Sequence, residues 1–218
     1  MSPSSAENPL IRGLTYPDVV QRSLYSMFEF GCSRVGRDAE AILYFGNRIT
    51  YGELMDAVHA FAAGLVSLGV KKGDFVTICL PNMPQCVVAV YAVNRIGAVC
   101  NLVHPLSTKK EIADAVRLCD SKVILTFEMN EGHAEGLGAQ IIRCATPEFF
   151  PKNPKGFVMK MVYRHSVRKA PKAAEVLLWR DVLQSGRDYL QTAELPKDTV
   201  RYEDTAAVMY TGGTTGEA

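Results

Sequence analysis

The sequence predicts an α/β fold, a mainly parallel sheet covered by helices. Three observations predict it. Short apolar runs such as "FVTICL", "AVCNLV" and "KVILTF" alternate with amphipathic segments. Two Thr-x-x-Glu capping boxes, Thr50 with Glu53 and Thr108 with Glu111, open helices directly after apolar runs. Gly69 and Gly97 then stand where helices should stop. Strands that alternate with helices pair side by side in parallel and bury both faces of the sheet.

In chain order, "AILYFGNRITYGEL" sets two short apolar runs around Gly46-Asn47, the chemistry of a hairpin turn. The helix that follows carries Leu54, Ala57, Val58, Phe61, Leu65 and Leu68 at helical intervals, with His59 read as a surface or flank residue. "KKGDFVTICLPN" is a buried strand entered from a Gly-Asp turn and ended by Pro81-Asn82. A helix from about Pro84 to Ile96 has Pro in its first turn and leads to the strand "AVCNLVHPL". The second capping box starts a helix bearing Ile112, Ala115, Val116 and Cys119, before the strands "KVILTF" and "QIIRCA". No repeat of fixed period is visible.

Between 147 and 196 the composition changes. Seven Lys or Arg residues fall between Lys152 and Lys172, and no acid occurs from Phe149 to Ala174. Lys160, Arg164 and Arg168 take one side of a predicted helix, while Phe157, Val158, Met161 and Val162 gather elsewhere. Such a helix can lie on an anionic membrane surface, with those three cations as its contacts. The other reading is a solvated positive face on a helix packed against its own domain. Trp179, in "VLLW", docks the next segment on the core, and Ala206 to Tyr210 is expected as a buried strand that delivers the chain into a Thr/Gly loop.

The charges nearly cancel, 24 Lys+Arg against 23 Asp+Glu, which argues against a nucleic-acid binder that neutralises phosphates over a whole face. The first residues lack a basic segment followed by an apolar one, and no apolar run approaches the length of a membrane span. The expected location is cytoplasmic, or peripheral at a membrane through the basic segment. Six scattered cysteines form no CxxC pair and no cluster with His, so they suggest neither a metal site nor a disulfide framework and read as small buried hydrophobes.

The chemically distinctive stretch is "VMYTGGTTGEA". Gly212, Gly213 and Gly216 allow positive φ and close approach of backbone N–H groups, and Thr211, Thr214 and Thr215 add hydroxyl donors, the equipment of a phosphate cradle. A Walker A loop needs Lys after the last glycine, where Glu217 stands, and the glycine spacing does not fit a dinucleotide site. Alone, the stretch is equally a flexible turn.

"MYTGGTTGEA" resembles the phosphate-binding motif of the AMP-forming adenylating enzymes, which include acyl- and aryl-CoA synthetases, peptide-synthetase adenylation domains and luciferases. The order and spacing of 41–125 are similar to that family's N-terminal subdomain, and the long basic, aromatic stretch before the motif looks most like the long-chain fatty acyl-CoA ligases. The resemblance implies a two-step reaction: ATP·Mg²⁺ and a carboxylate, expected to be a long-chain fatty acid with medium-chain, aryl and other acids left open, give an acyl-adenylate and pyrophosphate, and the thiol of coenzyme A displaces AMP. It implies that Thr211 to Gly216 hold the ATP phosphates; no residue is offered as general base. In the family the motif runs on toward a Lys that is not present by Ala218. The implied organisation is thus an incomplete AMP-binding domain over 1–218, with 147–196 as a basic insertion and the C-terminal domain absent. By itself such a chain is expected to lack full ligase activity. Two other readings stay open: a non-catalytic module that binds a membrane or partner through 152–172, and a defective gene product with apolar surface exposed.

Overall fold

The computed structural model describes residues 21–210; the motif 211–216 lies outside them. Helix α1 (Leu24–Val35), capped by the Ser23 side chain, precedes a hairpin of β1 (Glu40–Tyr44) and β2 (Asn47–Thr50). Tyr44 pairs with Asn47, so the turn residues are Phe45 and Gly46, at φ 50 and 86. The turn is therefore one residue earlier than the Gly46-Asn47 reading, with the positive φ at both central positions that a type I′ hairpin turn needs. Thr50 then caps α2 (Tyr51–Ser67), with both hydrogen bonds of the predicted capping box in place.

The main sheet begins with β3 (Phe75–Ile78), followed by α3 (Pro84–Arg95), β4 (Val99–Leu102), α4 (Lys109–Leu118) and β5 (Val123–Thr126). The capping box of Thr108 and Glu111 opens α4. Next come β6 (Gln140–Arg143), α5 (Pro154–Ser166), β7 (Leu177–Leu178), α6 (Trp179–Thr192) and β8 (Ala207–Met209). The strand order is β7-β6-β5-β3-β4-β8, and every neighbouring pair is parallel. The predicted α/β class holds. The stretch 147–196 is not one unit, since β7 extends the sheet and α6 belongs to the core.

Alternate residues of the strands serve two cores, as the period of two requires. Val76, Ile78, Cys100, Val123, Leu125 and Ile142 face a large cluster completed by Phe61 and Leu65 of α2, Val88 and Ala92 of α3, and Trp179 and Val182 of α6. Cys79, Ile124 and Ile141 face a smaller one completed by Ile112, Ala115 and Val116 of α4. Trp179, 2% exposed, stacks on Phe61 with ring centroids 4.1 Å apart. Along the same contact α2 and α6 touch through backbone: a Cβ on Gly186 would fall 1.8 Å from the Ala60 carbonyl oxygen, and one on Gly64 would fall 2.5 Å from that of Val182.

Three expectations are corrected. His59 is half-buried in the α1–α2 contact, its Nε2 2.7 Å from the Tyr25 hydroxyl, and burial holds its pKa below the usual value. The last strand, expected to be buried over Ala206 to Tyr210, is the three-residue edge strand β8, with Met209 73% exposed. On the helix of the basic stretch Arg164 and Arg168 are exposed and Tyr163 packs on the domain, as the solvated-face reading expects, but the large apolar residues are not turned inward. Phe157, Val158, Met161 and Val162 are all exposed.

Candidate functional site

The carboxyl ends of parallel strands are where an open α/β sheet offers its crevice. β8 lies beside β4 and points the chain toward that edge. Its approach is fixed from below, where Lys72 Nζ donates to the Thr199 carbonyl at 2.8 Å and Arg95 donates to that of Pro196 at 3.0 Å. Tyr210, the last described residue before the Thr/Gly motif, is fixed by its hydroxyl, which donates to Asn101 Oδ1 at 2.8 Å. Asn101 Nδ2 donates to Thr77 Oγ1 at 2.9 Å and to the Ala115 carbonyl at 3.0 Å, and the Thr77 hydroxyl donates to Ser121 Oγ at 2.8 Å. This chain of satisfied polar groups, buried from Asn101 to Ser121, ties β8, β4, β3 and the end of α4 together at the base of the motif. Burial, and then the neighbouring Cys119 thiol, push the Tyr210 hydroxyl up to about 12, so it remains a donor at neutral pH.

At the crest, β3 and β5 are neighbours whose onward connections leave in opposite directions. Asn130 closes this switch point. It accepts from the Phe127 amide at 3.0 Å and donates to the carbonyls of Cys79 at 2.9 Å and Pro105 at 3.2 Å, so one buried amide links the ends of β5 and β3 with the loop after β4. The thiols nearby are fully buried. Burial raises Cys79 and Cys100 to about 12, which fits their reading as core residues.

Beyond β5 and β6 lies an open groove of ≈ 480 Å³. Its floor is an ion pair: Arg143, at the end of β6, forks onto both oxygens of Glu131, which is 1% exposed and also accepts from the Ala173 amide at 3.1 Å. The hydrogen bonds to Glu131 raise the pKa of the guanidinium still further. One wall is α5, whose Tyr163 donates to Glu128 Oε2 at 2.9 Å and lies 2.8 Å from the Thr146 hydroxyl. Burial raises the pKa of Tyr163 as well. Lys160, Arg164 and Arg168, the three cations assigned to one side of the helix, all line this groove, although Arg168 stands past the helix end. None of the three has a carboxylate within ion-pair distance among the described residues.

Of the predicted site, Thr211, Gly212, Gly213, Thr214, Thr215 and Gly216 lie outside the described residues, while Lys160, Arg164 and Arg168 are brought together. Sequence reasoning missed Asn130, Glu131, Arg143 and the anchoring role of Tyr210. Glu131 and Arg143 are separated by a turn and a strand, and no spacing rule marks a pair that meets only through the sheet. Among the described residues there is no group of three His, Cys, Asp or Glu side chains that could hold a metal, and no helix long and apolar enough to cross a membrane.

A family model described as AMP-binding enzyme matches residues 28–218. The chain is 30% identical over 186 residues to acetyl-coenzyme A synthetase 1 of Candida albicans, covering 83% of this chain and 26% of that protein. It is 31% identical over 210 residues to the long-chain-fatty-acid–CoA ligase of Salmonella typhimurium, covering 93% of this chain and 36% of that one. The chain thus spans about a quarter to a third of the length of these relatives. Among solved structures, the N-terminal subdomain of Klebsiella oxytoca NpsA in complex with 3-hydroxyanthranilyl-AMSN superposes with a TM-score of 0.61 at 18% identity, covering 89% of this chain and 38% of that one. The A-PCP didomain of a carboxylic acid reductase from Segniliparus rugosus in complex with AMP gives 0.63 at 15% identity, covering 89% and 31%. At these identities the structural likeness speaks for the fold.

Proposed function

This chain belongs to the AMP-binding enzyme family, and we propose that it forms the phosphate-binding side of a site that activates a carboxylic acid by adenylation and passes the acyl group to coenzyme A. The observation that carries the reading is the placement of Tyr210: β8 meets the carboxyl edge of the sheet, and the Asn101 hydrogen bond anchors the chain one residue before Thr211. A glycine-rich loop that starts from such an anchor can move at its tip while its root stays fixed, as a loop that closes on ATP and opens to release pyrophosphate requires.

In this reading the carboxylate oxygen attacks the α-phosphorus of ATP and pyrophosphate leaves. The hydroxyls of Thr211, Thr214 and Thr215 and the amides around Gly212, Gly213 and Gly216 donate to the β- and γ-phosphate oxygens as charge builds on the leaving group. They orient and stabilise; they take no proton. Mg²⁺ enters as part of the ATP·Mg²⁺ substrate, and no step is assigned to an ion held by the described residues. Coenzyme A is the acyl acceptor of the second step.

The acid we assign is a long-chain fatty acid. The named relatives include both an acetyl-coenzyme A synthetase and a long-chain ligase, and the match to the latter runs through more of this chain, 93% against 83%. The test is ATP–pyrophosphate exchange by the protein as the cell makes it, with acids from acetate upward. Exchange that rises with chain length, and that falls about a hundredfold in Thr214→Val, is expected. Exchange with acetate alone overturns the substrate class. Unchanged exchange in Thr214→Val overturns the role of the motif.

A further inference from the structure

We propose that α5 is an interfacial helix that rests on an anionic phospholipid surface through Phe157, Val158, Met161 and Val162. The ridge is exposed to an unusual degree, at 65%, 58%, 60% and 65%. Its residues recur at i, i+1, i+4 and i+5, and at 100° per residue they span an arc of about 140° on one side of the helix. The opposite side holds the domain. Gly156 is buried, and Tyr163 is fixed to Glu128 and Thr146 and meets Phe150 edge-on with ring centroids 5.9 Å apart. The apolar ridge is therefore presented by a helix anchored from behind.

Charge selects the occupant. Lys155 lies on one shoulder of the ridge and Arg164 on the other, with Lys152 before the helix and Lys169 after it, all exposed. No acid occurs from 149 to 174 to repel a phosphate. A second copy docked ridge to ridge would set these cations against one another. A surface of anionic headgroups over acyl chains instead takes the ridge into its boundary and the shoulders at headgroup level. This moves the contact from the cation side to the apolar side: Arg164, which also lines the groove, stands at the boundary, while Lys160 and Arg168 serve the groove behind. The inference is independent of the adenylation reading.

Phe157→Trp gives the direct test in the intact protein, because the native Trp179 is 2% exposed and supplies a constant background. Emission from residue 157 should be that of a solvated indole without vesicles. It should shift to the blue with vesicles of phosphatidylcholine mixed with phosphatidylglycerol, and much less with phosphatidylcholine alone. In co-sedimentation, Phe157→Ser with Met161→Ser should weaken binding to the mixed vesicles at least about tenfold, and Lys155→Glu with Arg164→Glu by a similar factor. An unchanged thermal midpoint establishes that these variants are folded. A blue-shifted emission before vesicles are added, whether from a segment of the same protein or from self-association seen as a rise in mass, overturns the proposal. Binding that ignores the serine substitutions, or that is equal on neutral vesicles, overturns it as well. Failure of pyrophosphate exchange leaves this test intact, and failure here leaves the exchange test intact.

Discussion

Helix α5 lies within the basic stretch and α6 follows it, yet one turns its apolar residues outward and the other inward. On α6, Trp179 stacks on Phe61 and Gly186 lets the backbone of α2 come within contact distance. On α5, the four large apolar residues of the ridge stay more than half exposed among the described residues, and the contacts to the domain are made by Gly156, Tyr163 and the residues around them. The difference teaches that an apolar side chain becomes core only where the facing element offers a complementary surface. Here two glycines supply that surface for α6.

The largest break in this comparison is Trp179→Ala. It removes the largest buried ring of the contact and should destabilise the protein by about 4 kcal/mol, read as a fall in the denaturant midpoint. Gly186→Ala comes next. Its added methyl would meet the Ala60 carbonyl, so α6 must shift, with an expected loss of about 3 kcal/mol in the same measurement. Val162→Ser on α5 sharpens the contrast from the other side: its side chain is already in water, and unfolding without lipid should change by less than about 0.5 kcal/mol. A loss comparable to that of Trp179→Ala would mean that α5 is packed after all.

The fold was legible wherever a local device spoke for itself. Both capping boxes opened helices at the predicted residues, and Pro84 entered α3 at its first turn. α1 went unread, although Ser23 caps it and Tyr25, Phe28 and Cys32 fall at helical spacing. α6 went unread for a better reason. Gly186 breaks the apolar pattern that would have announced a helix, and it is a glycine because the neighbouring backbone leaves no room for a side chain. The groove was half legible, since Lys160, Arg164 and Arg168 could be grouped by spacing whereas Glu131 and Arg143 could not.

The sequence alone determined the strand-helix alternation, the helix starts and the Thr/Gly motif with its family resemblance, because these depend on residues within a few positions of one another. Only the tertiary structure decided that Asn130 locks the switch point, that Tyr210 is tied to Asn101, and that the ridge of α5 faces outward. Each of these depends on strand order and on which backbone comes near which. Periodicity separates the two sides of a helix, but it cannot say which side the rest of the molecule will cover.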